Sequence, residues 1–175
     1  MKTVATERVV CIKIAITEQE RDMTRQLRCE VFCREQRIFA NSDLDAIDAI
    51  ALPLVALCQT DGVTNEAIGT VRIHEAARGL WFGSRLAVTA SVRRSGAIGT
   101  GLIRLAVGIA HAHGCKQFLA HVQSQNVPLF ERLHWQSLSE EVVHGRPHHL
   151  MQANLAHYPP IVDGDIGLLL PVRSS

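Results

Sequence analysis

The sequence predicts a single α/β domain, and three observations carry that expectation. Short apolar runs with strand spacing alternate with longer stretches whose apolar residues recur at helical spacing. A glycine-rich turn, Ser95-Gly96-Ala97-Ile98-Gly99-Thr100-Gly101, joins one such strand to one such helix. No linker, internal repeat or low-complexity tract divides the 175 residues, and a chain of this length buries roughly two-thirds of its unfolded surface.

Each element has its own warrant. Val9 to Ile16 alternates enough for a strand. Thr17 followed by Glu20 has the spacing of a capping box and opens a helix reaching Ile38, with Met23, Leu27 and Val31 on one stripe. Asn41 to Asp48 is a polar, acidic loop. Leu52 to Cys58 is the next strand, and Asp61-Gly62 supplies a hairpin turn. Ala67 to His74 and Leu80 to Val88 follow as strands joined near Arg78-Gly79. The next helix starts at Gly99 or Thr100, turns Leu102, Ile103, Leu105, Ala106, Ile109 and Ala110 inward, and stops at Gly114. Phe118 to Val122 reads as a buried strand, and Asn126 to Leu133 as a short helix with Pro128 in its first turn. Ser137 to His144 and Met151 to Ala156 read as closing strands. Tyr158-Pro159-Pro160 begins an irregular tail with an apolar run, Ile166 to Leu170.

Composition removes several function classes. Net charge is +1 with the basic residues scattered, so no basic field recruits nucleic acid, and 5% aromatic residues leave no base-stacking platform. Met1 to Arg8 is polar and the apolar run after it is too short to span a membrane. Neither a secretory signal nor a membrane span is expected, and a cytoplasmic location is. Five cysteines, Cys11, Cys29, Cys33, Cys58 and Cys115, are an odd number without a Cys-x-x-Cys pair, which points to reduced thiols. Cys29 and Cys33 share a helix face, and His111, His113 and Cys115 lie close in sequence. A free cysteine is more often a small buried hydrophobe, and histidine suits a helix C-terminus, so no metal is expected.

The glycine-rich turn carries the chemistry. Gly96, Gly99 and Gly101 leave backbone N–H groups unshielded at a helix N-terminus, where the dipole also favours an anion. Arg93 and Arg94 add positive charge beside it. The physical expectation is a diphosphate-binding turn. A kinase-type phosphate loop would close its glycines with Gly-Lys-Ser/Thr, and no lysine occurs between Lys13 and Lys116. A dinucleotide fold wants a carboxylate after the following strand, which instead ends His121-Val122-Gln123.

The same spacing resembles the acyl-CoA pyrophosphate loop of the GCN5-related N-acetyltransferases, R/Q-x-x-G-x-G/A, with Arg94, Ala97 and Gly99 at its marked positions and Ala97 in place of glycine. Asn126 followed by Phe130-Glu131-Arg132-Leu133-His134-Trp135 resembles the family's N…Y-E-K-L-G-F segment, with phenylalanine for tyrosine and His134 for glycine. Arg28, Val31, Phe32, Glu35 and Gln36, followed by Asp43, Asp45 and Asp48, resemble the signature R-x-x-V-F-x-x-E-Q…D-x-x-D. That signature marks a subset of the family and, more loosely, the acyl-homoserine-lactone synthases. The likeness is close to a small branch encoded beside nitrilases and linked to nitrogen starvation.

The resemblance implies a mixed, mostly antiparallel sheet of about seven strands, splayed near Val88 and flanked by helices. The domain would span 1–158, with 159–175 as a tail. It implies transfer of an acetyl group from acetyl-CoA to the amine of a small metabolite by direct attack in a ternary complex, with no metal. Backbone donors at Leu86, Ala87 and Val88 would hold the thioester. The turn from Arg93 and Arg94 through Ser95, Gly96, Ala97, Ile98, Gly99 and Thr100 to Gly101 would hold the diphosphate, and Asn126 and Phe130 the pantetheine arm.

Acyl transfer needs orientation, charge stabilisation at the carbonyl oxygen and removal of a proton from the ammonium. His121, Glu35, Glu75 and His74 are the candidate bases, with His121 placed best on its strand. Tyr158 is the only tyrosine available as an acid. Arg85 has two readings: a partner for an acceptor carboxylate, or a structural ion pair with Glu35 or a loop aspartate. Ser84-Arg85-Leu86-Ala87-Val88 also resembles the S-R-F-A-V strand of the lactone synthases, but Phe82 stands where they carry glutamate. Two alternatives therefore stay open, a lactone-synthase-like acyltransferase and a non-catalytic acyl-CoA-binding module. The apolar tail implies a homodimer through C-terminal strands or, equally, a tail folded over its own sheet.

Overall fold

The computed structural model describes residues 8–171. In chain order the elements are β1 (Arg8–Ile14), α1 (Glu18–Arg28), β2 (Leu52–Thr60), β3 (Val63–Ala77), β4 (Leu80–Val88), α2 (Ala90–Arg93), α3 (Ala97–Ala112), β5 (Gln117–Gln123), α4 (Val127–Arg132), β6 (Trp135–Val143), β7 (Arg146–Ala153) and β8 (Leu168–Pro171). Eight strands form one sheet in the order β6-β7-β5-β4-β3-β2-β1-β8. Every pairing is antiparallel except β4 with β5, the pair that α3 connects. Parallel neighbours need such a crossover. Among the described residues no helix is long and apolar enough to cross a membrane.

Local signals place most boundaries. The Thr17 hydroxyl accepts from the Glu20 amide at 3.1 Å and the Glu20 carboxylate accepts from the Thr17 amide at 3.1 Å, which closes the capping box of α1. The helix does not run on to Ile38. It turns to the wider π winding over Cys29–Glu35, with the Gln36 amide donating to the Val31 carbonyl, at the point where Arg28 bends onto the acidic loop. Asp61 and Gly62 both have positive φ, 51° and 79°, so a two-residue turn joins β2 directly to β3, which extends further at both ends than its alternation suggests. α3 begins at Ala97, not Gly99, because Gly96 at φ 71° forms its N-cap.

Two glycines have packing roles that spacing alone did not reveal. A Cβ on Gly101 would lie 2.4 Å from Ile12 Cδ1, and one on Gly108 would lie 2.5 Å from Ile161 Cδ1. α3 can thus sit close on β1 and under the tail. The tail supplies the strand beyond the seven expected: Leu168–Pro171 pairs antiparallel with β1, and the Ile161 amide donates to the Gly108 carbonyl at 2.9 Å. Its apolar run therefore belongs to the chain's own sheet, although Ile166 and Leu169 keep exposed side chains.

The core lies mainly between the sheet and α3, around Ile12, Leu54, Ile73, Leu102, Leu105 and Phe118. A smaller cluster, Leu27, Val31, Phe32 and Ala87, seals α1 to the other face. Each of the two faces of β4 therefore meets its own layer, as side-chain alternation requires.

Candidate active site

β4 and β5 pair only from Leu80 to Gly83 and from Gln117 to Ala120. Beyond that point they part, and a cavity of about 550 Å³ opens between Ser84–Val88 and His121–Gln123. The split thus starts at Ser84, four residues before Val88. A bulge is the local cause: three steps along β4, Ser84 to Ala87, face two along β3, Thr70 to Arg72, and Arg85 has φ 55°. Such a bulge bends its strand and re-aims its side chains. The backbone of Leu86, Ala87 and Val88 lines the cavity with no strand bonded to it on the β5 side.

The bulge sends Arg85 into a buried ion-pair cluster. Its Nε donates to Asp43 Oδ2 at 3.0 Å and its Nη2 to the Asp43 carbonyl at 2.9 Å, while the guanidinium lies 4.6 Å from the centre of the Phe39 ring. Arg28 donates to Asp43 at 2.7 Å and to Asp48 at 2.6 Å. Arg72 holds Asp45 in a fork at 2.7 and 2.9 Å and donates to Ser84 Oγ at 2.9 Å. Burial works against charge at Asp48, but hydrogen bonds from Arg28, the Asp45 amide and Arg72 outweigh it and hold that carboxyl well below its ordinary range. Asp45 is lowered chiefly by its hydrogen bonds from Arg72. The Arg85 guanidinium is lowered, first by burial and then by Arg72. Arg85 thus pairs with loop aspartates, not with Glu35, which is engaged elsewhere, while its side chain also lines the cavity.

At the glycine turn, Gly96 and Gly99 line the cavity mouth, and a Cβ on Gly99 would meet open space. The Ala97 amide donates to Ser95 Oγ at 3.3 Å and the Thr100 amide to the Gly96 carbonyl at 2.9 Å. That leaves Ile98 and Gly99 as first-turn donors without an acceptor among the described residues, the arrangement that receives an anion. Three expectations need adjusting. Gly101 does not expose its amide; it is a packing glycine against β1. Arg93 is not loose charge: it forks onto Glu35 at 2.5 and 3.0 Å and donates to the Val88 carbonyl at 2.9 and 3.0 Å. Arg94 is exposed and off the cavity wall.

The candidate acid–base groups separate sharply. His121 lines the cavity, stacks on Phe82 at 5.8 Å, and hydrogen-bonds through Nδ1 to the Glu141 carboxylate. Glu35 is held by Arg93, whose hydrogen bonds lower its carboxyl. Glu75 accepts from the Gly79 amide at 2.8 Å and so braces the β3–β4 turn. His74 stacks on the far side of Phe82, its Nδ1 is buried without a partner among the described residues, and burial lowers its imidazole. Tyr158 stands behind the cavity wall. It donates to the Leu133 carbonyl at 2.5 Å and accepts from Trp135 Nε1 at 3.0 Å, and burial pushes its phenol up. Asn126 lines the cavity and makes no cap hydrogen bond, while Phe130 is buried edge-on to Trp135.

Glu141 was not singled out from the sequence. It reaches His121 only because β7 pairs with both β5 and β6 and so sets β6 one strand away from β5, and no local pattern marks a contact made across two strand pairings. Three of the side chains weighed as metal ligands have other partners: Cys29 Sγ donates to the Asn41 carbonyl, and His111 and His113 bond the Tyr158 and Ile109 carbonyls.

A sheet parted between β4 and β5, beside a glycine-capped helix with first-turn donors left unpaired, is the architecture of an acyltransferase fold. The chain belongs to the acetyltransferase (GNAT) family, whose model matches residues 21–135. Among solved structures, a putative N-acetyltransferase from Lactobacillus plantarum is similar at TM-score 0.72 and 21% identity, over 82% of this chain and 97% of that one. The AHL synthase LasI is similar at TM-score 0.63 and 15% identity, over 90% and 98%. FeeM, an N-acyl amino acid synthase from uncultured soil microbes, is similar at TM-score 0.63 and 12% identity, over 85% and 93%. At these identities the likeness is one of fold. No curated protein sequence matches the chain significantly.

Proposed function

We propose that the protein transfers an acyl group, acetyl in the simplest case, from acyl-CoA to the amine of a small metabolite in the cytoplasm. Within the family, we place it in the branch encoded beside nitrilases. The observation that carries the reading is the parted β4–β5 pair: the β5-facing edge of Leu86 to Val88 has no strand bonded to it and lines one cavity with Gly96 and Gly99 at the start of α3. A diphosphate at α3 would be met by two N–H donors and the positive end of the helix dipole. From there the pantetheine arm would pass Asn126 and Phe130, and the thioester oxygen would meet β4 amides that need no reorganisation as charge develops on it.

The acceptor amine would enter from the side of His121. With Nδ1 engaged by Glu141, the free Nε2 is the atom that takes the ammonium proton before attack on the thioester carbon. Glu141 fixes the tautomer, as a carboxylate partner does for imidazole in many sites. Phe130 and the buried Tyr158 leave no side-chain acid beside the sulfur. The thiolate would depart unassisted, tolerable for a thiol of ordinary pKa about 8.5. A homodimer formed along β8, an edge strand of the sheet, is part of the same proposal.

The test is release of free CoA thiol across an amine panel with acetyl-CoA as donor. A positive acceptor should lose 10²- to 10⁴-fold in kcat, on the order expected for a general base, in His121→Ala. It should lose less in Glu141→Gln, which keeps the imidazole. Tight acyl-CoA binding with no acceptor-dependent thiol release would instead support a binding module. Release of methylthioadenosine from S-adenosylmethionine would support the lactone-synthase alternative, against which Phe82, packed between His74 and His121, stands where a carboxylate would be needed.

A further inference from the structure

The cavity continues past the place where the thioester would sit. Along α3, Gly96, Gly99, Ile103, Ala106 and Val107 all line it, so it follows one helix face for about 15 Å from the N-cap. Its inner end lies under the last paired residues of the splay and is walled by Ala106, Val107, Phe118, Ala120, Phe130 and Trp135, each less than a tenth exposed. The charged lining residues, Asp45, Arg72, Arg85 and Arg93, lie elsewhere on the wall, and none comes from this inner end. The one polar side-chain atom of that wall, Trp135 Nε1, is already donated to the Tyr158 hydroxyl, which in turn is donated to the Leu133 carbonyl. A water placed there would find no hydrogen-bonding side chain, so the site favours an apolar occupant.

Resting on the acyl-CoA reading above, we infer that this inner end receives the acyl chain of the donor, and that the donor carries an apolar chain longer than acetyl. A two-carbon group ends at the β4 amides and leaves the aromatic floor uncovered. A longer chain lies between the Ala106 and Ala120 methyls and reaches the Phe118 and Trp135 rings. Ala106 and Ala120 are the residues that keep the passage open: larger side chains at either position would close it.

The test is calorimetric titration of the full chain with CoA, acetyl-CoA, butyryl-CoA, hexanoyl-CoA and octanoyl-CoA. Burial of each further methylene should tighten binding by up to roughly fourfold until the chain meets the floor. In Ala106→Phe the series should flatten, because the added ring occupies the passage. Should that variant fail to fold, the wild-type series decides by itself. Equal affinity for acetyl-CoA and hexanoyl-CoA, or a decline with length, overturns the inference while leaving the acyl-CoA reading in place. Absence of binding by every member of the series, CoA included, overturns both.

Discussion

The two sides of the β4–β5 splay open onto one cavity and are built from opposite materials. On the α1 side, three arginines and three aspartates meet within hydrogen-bonding distance, and nearly every charge has a partner: Arg28 with Asp43 and Asp48, Arg72 with Asp45, Arg85 with Asp43. On the α3 side the wall is largely apolar, and besides the side chains of His121 and Asn126 the polar groups left over belong to the unbonded edge of β4 and to the first turn of α3. Charges that satisfy each other fix geometry and have little left for a ligand. Unpaired amides that cannot move are what a ligand's oxygens need. The abundance of charge near Arg85 is therefore a scaffold that sets the bulge, whereas the side with few polar atoms is the one able to bind.

This contrast predicts that the two sides fail differently. Arg28→Ala takes from Asp43, 2% exposed, its closest partner and leaves it to Arg85, and should cost up to about 3 kcal/mol of stability in urea unfolding. A loss within the range of a surface pair, below about 1 kcal/mol, would mean that water reaches the cluster.

Acid should dismantle the same side first. Asp45 and Asp48 have folded pKa values below their unfolded value of about 3.9, so the stability they contribute is full above that value. It is lost as pH falls through the lowered folded values. His74, also lowered, is a base kept neutral: from about pH 6.5 downward the unfolded chain takes its proton first, so stability begins to decline there. Urea midpoints should fall gently below neutrality and steeply below pH 4, and Asp45→Asn should shallow the steep part.

A smaller effect separates both sides from the periphery. His134 adopts φ 65° at the end of α4 and stacks on His157 at 3.6 Å. This is the position where the family sequence pattern has glycine, and the left-handed backbone is the physical reason. His134→Gly should be more stable than His134→Ala by about 1 kcal/mol, since only glycine adopts that conformation freely. Thermal unfolding of the two variants would show it.

What the sequence disclosed follows the range of the forces involved. The capping box of Thr17 and Glu20, the Asp61-Gly62 turn and the glycine-rich start of α3 are decided by residues a few positions apart, and each was legible. The aspartates of the acidic loop were legible as a set, and Arg85 as a candidate partner for one of them, whereas Arg28 and Arg72 were not legible as partners. The Arg93–Glu35 fork spans 58 positions, and His121–Glu141 depends on which strands lie side by side. Gly101 read as a phosphate-loop glycine because composition cannot tell an exposed amide from a close approach to Ile12. The eighth strand was missed for a related reason. Its apolar run has no alternation to mark a strand, and its partner β1 lies at the opposite end of the chain.

The central claim is that the first turn of α3 holds the diphosphate of an acyl-CoA. Gly99→Asp tests it directly: the new side chain has open space around it, and a carboxylate at the third helical position suits the dipole, so the fold should survive. Calorimetric titration with acetyl-CoA should give single-site binding for the native chain. In folded Gly99→Asp that binding should weaken by about 2–3 kcal/mol or more, because the carboxylate repels the diphosphate and masks its donors. Unchanged affinity in the folded variant, or no heat from the native chain at millimolar acetyl-CoA, would contradict the account.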